Sequence, residues 1–117
     1  MIDKRKFYIN GLWVNPIIEN DFEVINPSNE KPYATISLGS KKDVNLAVKV
    51  AKNAFSSWSQ IDKKEKIILL ENLLEIYKAR WDEITQTMSD EMGAPLDWSS
   101  SAQTSSGADH IKDFILR

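Results

Sequence analysis

His110 is the only histidine of the 117 residues, and the chain has no cysteine. Asp109 stands beside it. A His–Asp pair could act as a general base or begin a metal site. Metal sites take three or four ligands, however, and no second histidine or spaced carboxylate cluster accompanies this pair. It reads as a surface or helix-packing histidine. Asp82-Glu83 and Asp90-Glu91 are adjacent acids, so neither pair shares one helix face, and paired-carboxylate catalysis is not supported. Ser105-Ser106-Gly107 lacks the strand–turn–helix setting and flanking glycines of a nucleophile elbow. The four glycines, Gly11, Gly39, Gly93 and Gly107, are too dispersed to form a phosphate-cradling loop. Without cysteine there is no thiolate nucleophile, thiolate metal site or disulfide. The sequence assigns no catalytic, cofactor-binding or metal-ligating residue.

The net charge of −2 gives no general attraction for nucleic acid or an anionic membrane. Basic residues cluster at Lys4-Arg5-Lys6 and at Lys63, Lys64 and Lys66. From Trp81 to His110 there is no Lys or Arg, while Asp82, Glu83, Asp90, Glu91, Asp97 and Asp109 fall there. These read as solvated helix faces. The four tryptophans, Trp13, Trp58, Trp81 and Trp98, are spread one per element with no basic interleaving. They read as core anchors rather than a base-stacking platform. No run of about 18 apolar residues suggests a membrane span. The charged N-terminus lacks the apolar segment of a signal peptide, so the expected location is cytoplasmic.

Those residues must be carried by elements that the spacing of apolar residues defines. At 42% hydrophobic and 27% charged, the composition is that of a globular chain of one domain at most. Residues 1–39 read as strands and turns. Asn10-Gly11 sits between Tyr8-Ile9 and Leu12-Trp13-Val14, a hairpin signal because both residues tolerate positive φ. Phe22–Ile25 is a second extended run, stopped at Asn26-Pro27. Tyr33–Leu38 is a third, closed by Gly39.

Residues 40–117 read as helical. Ser40-Lys41-Lys42-Asp43 fits a capping box with Asp in place of Glu. Val44, Ala47, Val48, Ala51, Ala54, Phe55 and Trp58 then fall on one helical face, opposite Lys49, Lys52 and Asn53. Asp62-Lys63-Lys64-Glu65 opens a second helix with Ile67, Ile68, Leu70, Leu73, Leu74 and Tyr77, widened by Leu69. So wide a stripe predicts burial between two neighbours. The period runs on through Trp81, Ile84 and Met88. Whether it bends near Ala79-Arg80 is open. Gly93 is a C-cap, and Pro95 prevents immediate continuation. Asp97 is placed as the cap of a last helix holding Trp98, Ala102, Ile111, Phe114 and Ile115. Its Ser- and Thr-rich middle reads either as a linker or as small side chains packed closely against a neighbour.

Read in order, Tyr8–Val14, Phe22–Glu30, Ala34–Val44, Ala47-Val48, Ala51–Trp58 and the turn Asp90-Glu91-Met92-Gly93-Ala94-Pro95-Leu96 resemble the N-terminal region of the NAD(P)-dependent aldehyde dehydrogenase superfamily. The resemblance extends from about Phe7 to Phe114. It implies an α/β, Rossmann-like parent fold, with 1–117 as the N-terminal part of its cofactor-binding domain. It also implies oxidation of an aldehyde to a carboxylic acid with NAD or NADP. In that reaction a cysteine thiolate attacks the carbonyl, hydride passes to the nicotinamide, and a glutamate activates water. In the family those groups lie further along the chain, and none maps onto a residue here.

The expectation is therefore a truncated N-terminal segment, inactive alone and binding no cofactor alone. Its expected partners are the remainder of the enzyme, or copies of itself through exposed apolar faces. The alternatives are a stand-alone helical binding module, the complementing fragment of a split enzyme, and, weakest, an independent enzyme.

Overall fold

The computed structural model describes residues Met1–Arg117. The strands all precede Gly39 and the helices follow Ser40. The chain divides into two compact units.

The first unit holds Met1–Asn26 and Glu30–Gln60. Its three-stranded sheet has the order β1(Ile2–Lys4), β5(Lys31–Ser37), β4(Asp21–Asn26). β4 and β5 are antiparallel, with a bulge between Val24 and Ile25. Pro32 cannot donate to a sheet ladder, and it lies beyond Ala34–Ile36, the stretch of β5 that β1 covers. β1 runs parallel to β5, with Ile2 opposite Ala34. The sequence did not predict β1, because three residues at a charged terminus carry no periodicity. The hairpin β2(Phe7–Ile9)–β3(Leu12–Val14) forms as the Asn-Gly signal indicates, with both Asn10 (φ 56°) and Gly11 (φ 75°) at positive φ. Ala34, Thr35 and Ser37 of β5 are buried.

Helix α1(Lys41–Trp58) starts at a complete capping box. The Asp43 carboxylate accepts from the Ser40 N–H (2.8 Å) and from the Ser40 hydroxyl (2.5 Å), and the Ser40 oxygen accepts from the Asp43 N–H (3.4 Å). The helix ends where expected, yet its apolar face is open: Val44, Val48 and Phe55 are exposed, Phe55 by 65%.

The second unit holds Pro27–Asn29 and Ile61–Arg117. Asp62 caps α2(Lys63–Ala79) by accepting from the Lys64 N–H (3.2 Å). The chain bends at Arg80 (φ −104°, ψ 18°) and resumes as α3(Trp81–Met92). Gly93, at φ 71°, closes α3 as the αL cap that only glycine adopts at no steric cost. A Cβ there would also meet the Pro27 ring at 2.8 Å.

Two expectations about this unit are corrected. Of the α2 stripe only Leu74 is fully buried, while Ile68, Leu69 and Leu73 are exposed, so the stripe is not enclosed by two neighbours in this chain. Asp97 is not a cap. The residue at that position is Pro95, and α4(Leu96–Trp98) begins without a side-chain cap. Pro95 cannot itself be helical here (ψ 138°), so the helix starts directly after it. The Ser- and Thr-rich middle is helical but not α: Ser99–Thr104 forms a π-helical segment that leads into α5(Ser105–Leu116).

Candidate functional site

Each residue weighed for chemistry now has a place. His110 is exposed on α5. Its neighbour Asp109 pairs with Lys112 (2.9 Å). Glu83 takes a two-pronged contact from the Arg80 guanidinium (2.6 and 2.8 Å), which raises the pKa of Arg80. Asp90 accepts from Gln86 (3.2 Å). No three His, Cys, Asp or Glu side chains come together to hold a metal ion. Ser105, Ser106 and Gly107 lie within α5, not at a strand–helix turn.

The tryptophans correct an expectation. Only Trp81 is half-buried; Trp13, Trp58 and Trp98 are exposed, Trp13 by 68%. Their apolar rings face outward because no element of this chain covers them.

Three local arrangements stand out. The first is an open groove of about 630 Å³ beside β1 and β3, lined by Trp13 and by charged groups of both signs. Lys4, Arg5 and Lys6 are balanced there by Asp3, Glu19 and Asp21, and Arg5 is already engaged by Asp21 (3.1 Å) and Asp3 (3.4 Å). The groove contains no nucleophile–base pair.

The second is Asp43. Its carboxylate is 4% exposed. Besides Ser40 it accepts from the Ile17 backbone N–H at 2.8 Å. The Ile17 amide, then the Ser40 hydroxyl, hold its pKa below the ordinary value against the opposing effect of burial. Both its oxygens face donors of its own chain, so its work is to fasten the 15–18 loop to the start of α1.

The third joins α2 and α3 to the π-helical segment. The Tyr77 hydroxyl donates to the Thr104 carbonyl (3.0 Å), Trp81 Nε1 donates to the Ser100 hydroxyl (2.9 Å), and the Thr85 and Thr104 hydroxyls are 2.9 Å apart. Tyr77 and Trp81 meet edge to face, with ring centroids 6.3 Å apart. Sequence reasoning missed this cluster. Its trace was the four-residue spacing of Tyr77, Trp81 and Thr85, in which the two aromatic residues look like ordinary core. No buried side-chain polar atom in it lacks a partner, so the cluster reads as a tie between helices.

A dinucleotide needs successive backbone N–H groups at a glycine-rich helix start. The glycines instead occupy a hairpin turn, the link between β5 and α1, a helix C-cap and the first turn of α5. These four positions form no glycine-rich helix start.

The short strands followed by a helical layer are those of part of an α/β fold. Aldehyde dehydrogenase from Bartonella henselae has this fold with a TM-score of 0.96 and 47% identity, matching 98% of this chain and 24% of its own. Aldehyde dehydrogenase C of Pseudomonas syringae, solved with NAD+ and octanal, matches 97% of this chain at a TM-score of 0.92 and 31% identity, over 24% of its own length. Among curated proteins, 3-succinoylsemialdehyde-pyridine dehydrogenase of a Pseudomonas species is 45% identical over 82% of this chain and 20% of its own. A putative aldehyde dehydrogenase of Staphylococcus aureus is 38% identical over 95% of this chain and 23% of its own.

The model of the aldehyde dehydrogenase family matches residues 13–116, and the chain belongs to that family. It spans about a fifth to a quarter of the length of these relatives. No helix is long and apolar enough to cross a membrane.

Proposed function

We propose that Met1–Arg117 is the N-terminal part of the cofactor-binding domain of an enzyme that oxidises an aldehyde to a carboxylic acid with NAD or NADP. The chain contributes scaffold and no reacting group. It is inactive alone, binds no cofactor alone, and works in the cytoplasm.

The observation that carries this reading is the open apolar face of α1, with Phe55 exposed by 65% in a backbone otherwise close to that of full-length relatives. Burying one such side chain contributes about 1.5–3 kcal/mol, so a face of several is built to be covered. We assign the cover to the remainder of a dehydrogenase polypeptide. Copies of this chain are the second occupant, favoured when that remainder is absent.

The test uses the purified chain with NAD+ and a panel of aldehydes, alone and mixed with a polypeptide carrying the rest of an aldehyde dehydrogenase. No NADH from the chain alone, and NADH from the mixture, is the expected pair of results. Turnover by the chain alone overturns the assignment of a scaffold role. Capture of a specific partner that is not a dehydrogenase fragment supports a stand-alone binding module instead.

A further inference from the structure

Ser99 and Thr104 are both 0% exposed and lie five positions apart. On an α-helix, with 3.6 residues per turn, positions five apart point about 140° from each other. Two such residues are not both turned to one covered side of an α-helix. A π-helical turn, bonded i to i+5, brings them round to nearly the same side. That is where the structure places the turn, at Ser99–Thr104. α3 reaches the segment through Trp81–Ser100 and Thr85–Thr104, while the buried Ser99 hydroxyl donates to Gln103 within the segment (3.0 Å).

The outward side of the turn is occupied by Ser101, which is exposed and whose hydroxyl bonds only back to the Asp97 carbonyl (2.6 Å). Beyond the turn the phase of α5 matters. It sets Ala108 inward, and it sets Gly107 where the Tyr77 ring lies against the backbone.

We propose that the π-helical turn is a one-residue insertion that sets the rotational phase of α5, with Tyr77, Trp81 and Thr85 holding the turn and Ser101 as the surplus residue. Deleting Ser101 then converts the turn to α-helix and leaves everything from Thr104 onward facing as before. Adding a residue cannot be absorbed in the same way, since a second surplus position has no place in the turn.

The absence of native cysteine makes this measurable by thiol trapping in the full chain. Thr85→Cys with Thr104→Cys places two thiols where the hydroxyls are 2.9 Å apart, and a mild oxidant should close them into a disulfide. The same pair with Ser101 deleted should close to within about twofold of the same yield. With one alanine inserted after Ser101 it should close at least about tenfold less. Loss of closure on deletion overturns the proposal. So does equal closure in all three variants, which would mean that the segment sets no phase. Failure of the parent pair to close would remove the contact on which the inference stands.

Discussion

The carboxylate of Asp43 accepts the backbone N–H of Ile17 at 2.8 Å, across 26 positions of sequence. A residue read from sequence as half of a helix cap is therefore also the fastening of a distant loop. Its oxygens face only donors: two N–H groups and a hydroxyl. Asp43→Asn keeps an acceptor for Ile17 but turns an NH₂ group toward the Ser40 N–H. The folded protein holds the Asp43 carboxyl below its ordinary value of 3.8, so on acidification the unfolded chain takes up this proton first. Its stabilisation is complete well above pH 3.8 and is lost as the pH falls below that value. Urea unfolding from pH 6 to pH 2.5 should show a shallower acid loss in Asp43→Asn than in the parent chain, with lower stability at pH 6. Parallel pH profiles would contradict the assignment.

Gly107→Ala should destabilise, against the usual sense of that exchange on a helix. Alanine normally favours a helix interior by about 0.5–1 kcal/mol. Here its Cβ would come within 2.9 Å of Tyr77 Cζ. The ring cannot swing aside cheaply, because its hydroxyl is held by Thr104 and its edge by Trp81. We expect a net loss of roughly 1–3 kcal/mol, the usual range for overpacking. Tyr77→Leu in the same chain should recover part of it, as read by denaturant midpoints.

Thr85→Val leaves the buried Thr104 hydroxyl with only a long contact to the Met88 sulfur (3.9 Å), in place of the 2.9 Å bond to Thr85. The cost should be about 1–3 kcal/mol, that of an unsatisfied buried group. Thr104→Val alone should behave alike. The double variant should cost less than the two together, and strict additivity in the cycle would argue against a direct bond.

Charge placed on the open face of α1 should be tolerated. Phe55→Glu removes an apolar ring that is 65% exposed. Stability should move within about 0.5 kcal/mol, as for surface positions. Binding of an apolar-surface dye should fall, along with any self-association seen by sedimentation. A large loss of stability would mean that this face is covered within the chain.

What could be read in advance follows from which interactions are local. The Asn10-Gly11 turn, the Ser40–Asp43 box and the Gly93 cap are each set by a few consecutive residues, and each is found where it was expected. The family too was legible, through the order of these punctuation points. β1 was not, because its order comes from pairing with β5 far along the chain. The π-helical turn was not, because serine and threonine are poor helix formers and the residues that bond to it, Tyr77, Trp81 and Thr85, lie far back along the chain. The exposure of Trp13 and Trp98 was misjudged for a different reason: an apolar residue marks a surface to be buried but does not say by what. For the candidate site, the Tyr77–Trp81–Thr85 cluster was not legible, because Ser100 and Thr104, which meet Trp81 and Thr85, each lie 19 positions further along the chain.

The parallel pairing of β1 with β5 has a consequence for synthesis. Ile2 meets Ala34 and Lys4 meets Ile36, so β1 leaves the ribosome with no partner until β5 has followed it. The β2–β3 hairpin needs only the residues up to Val14, and hairpins close in about 1–10 μs. At roughly 5–20 residues per second, β1 waits on the order of seconds. The pairing of β1 with β5 thus waits on the later strand, and the sheet is completed by its earliest-made segment.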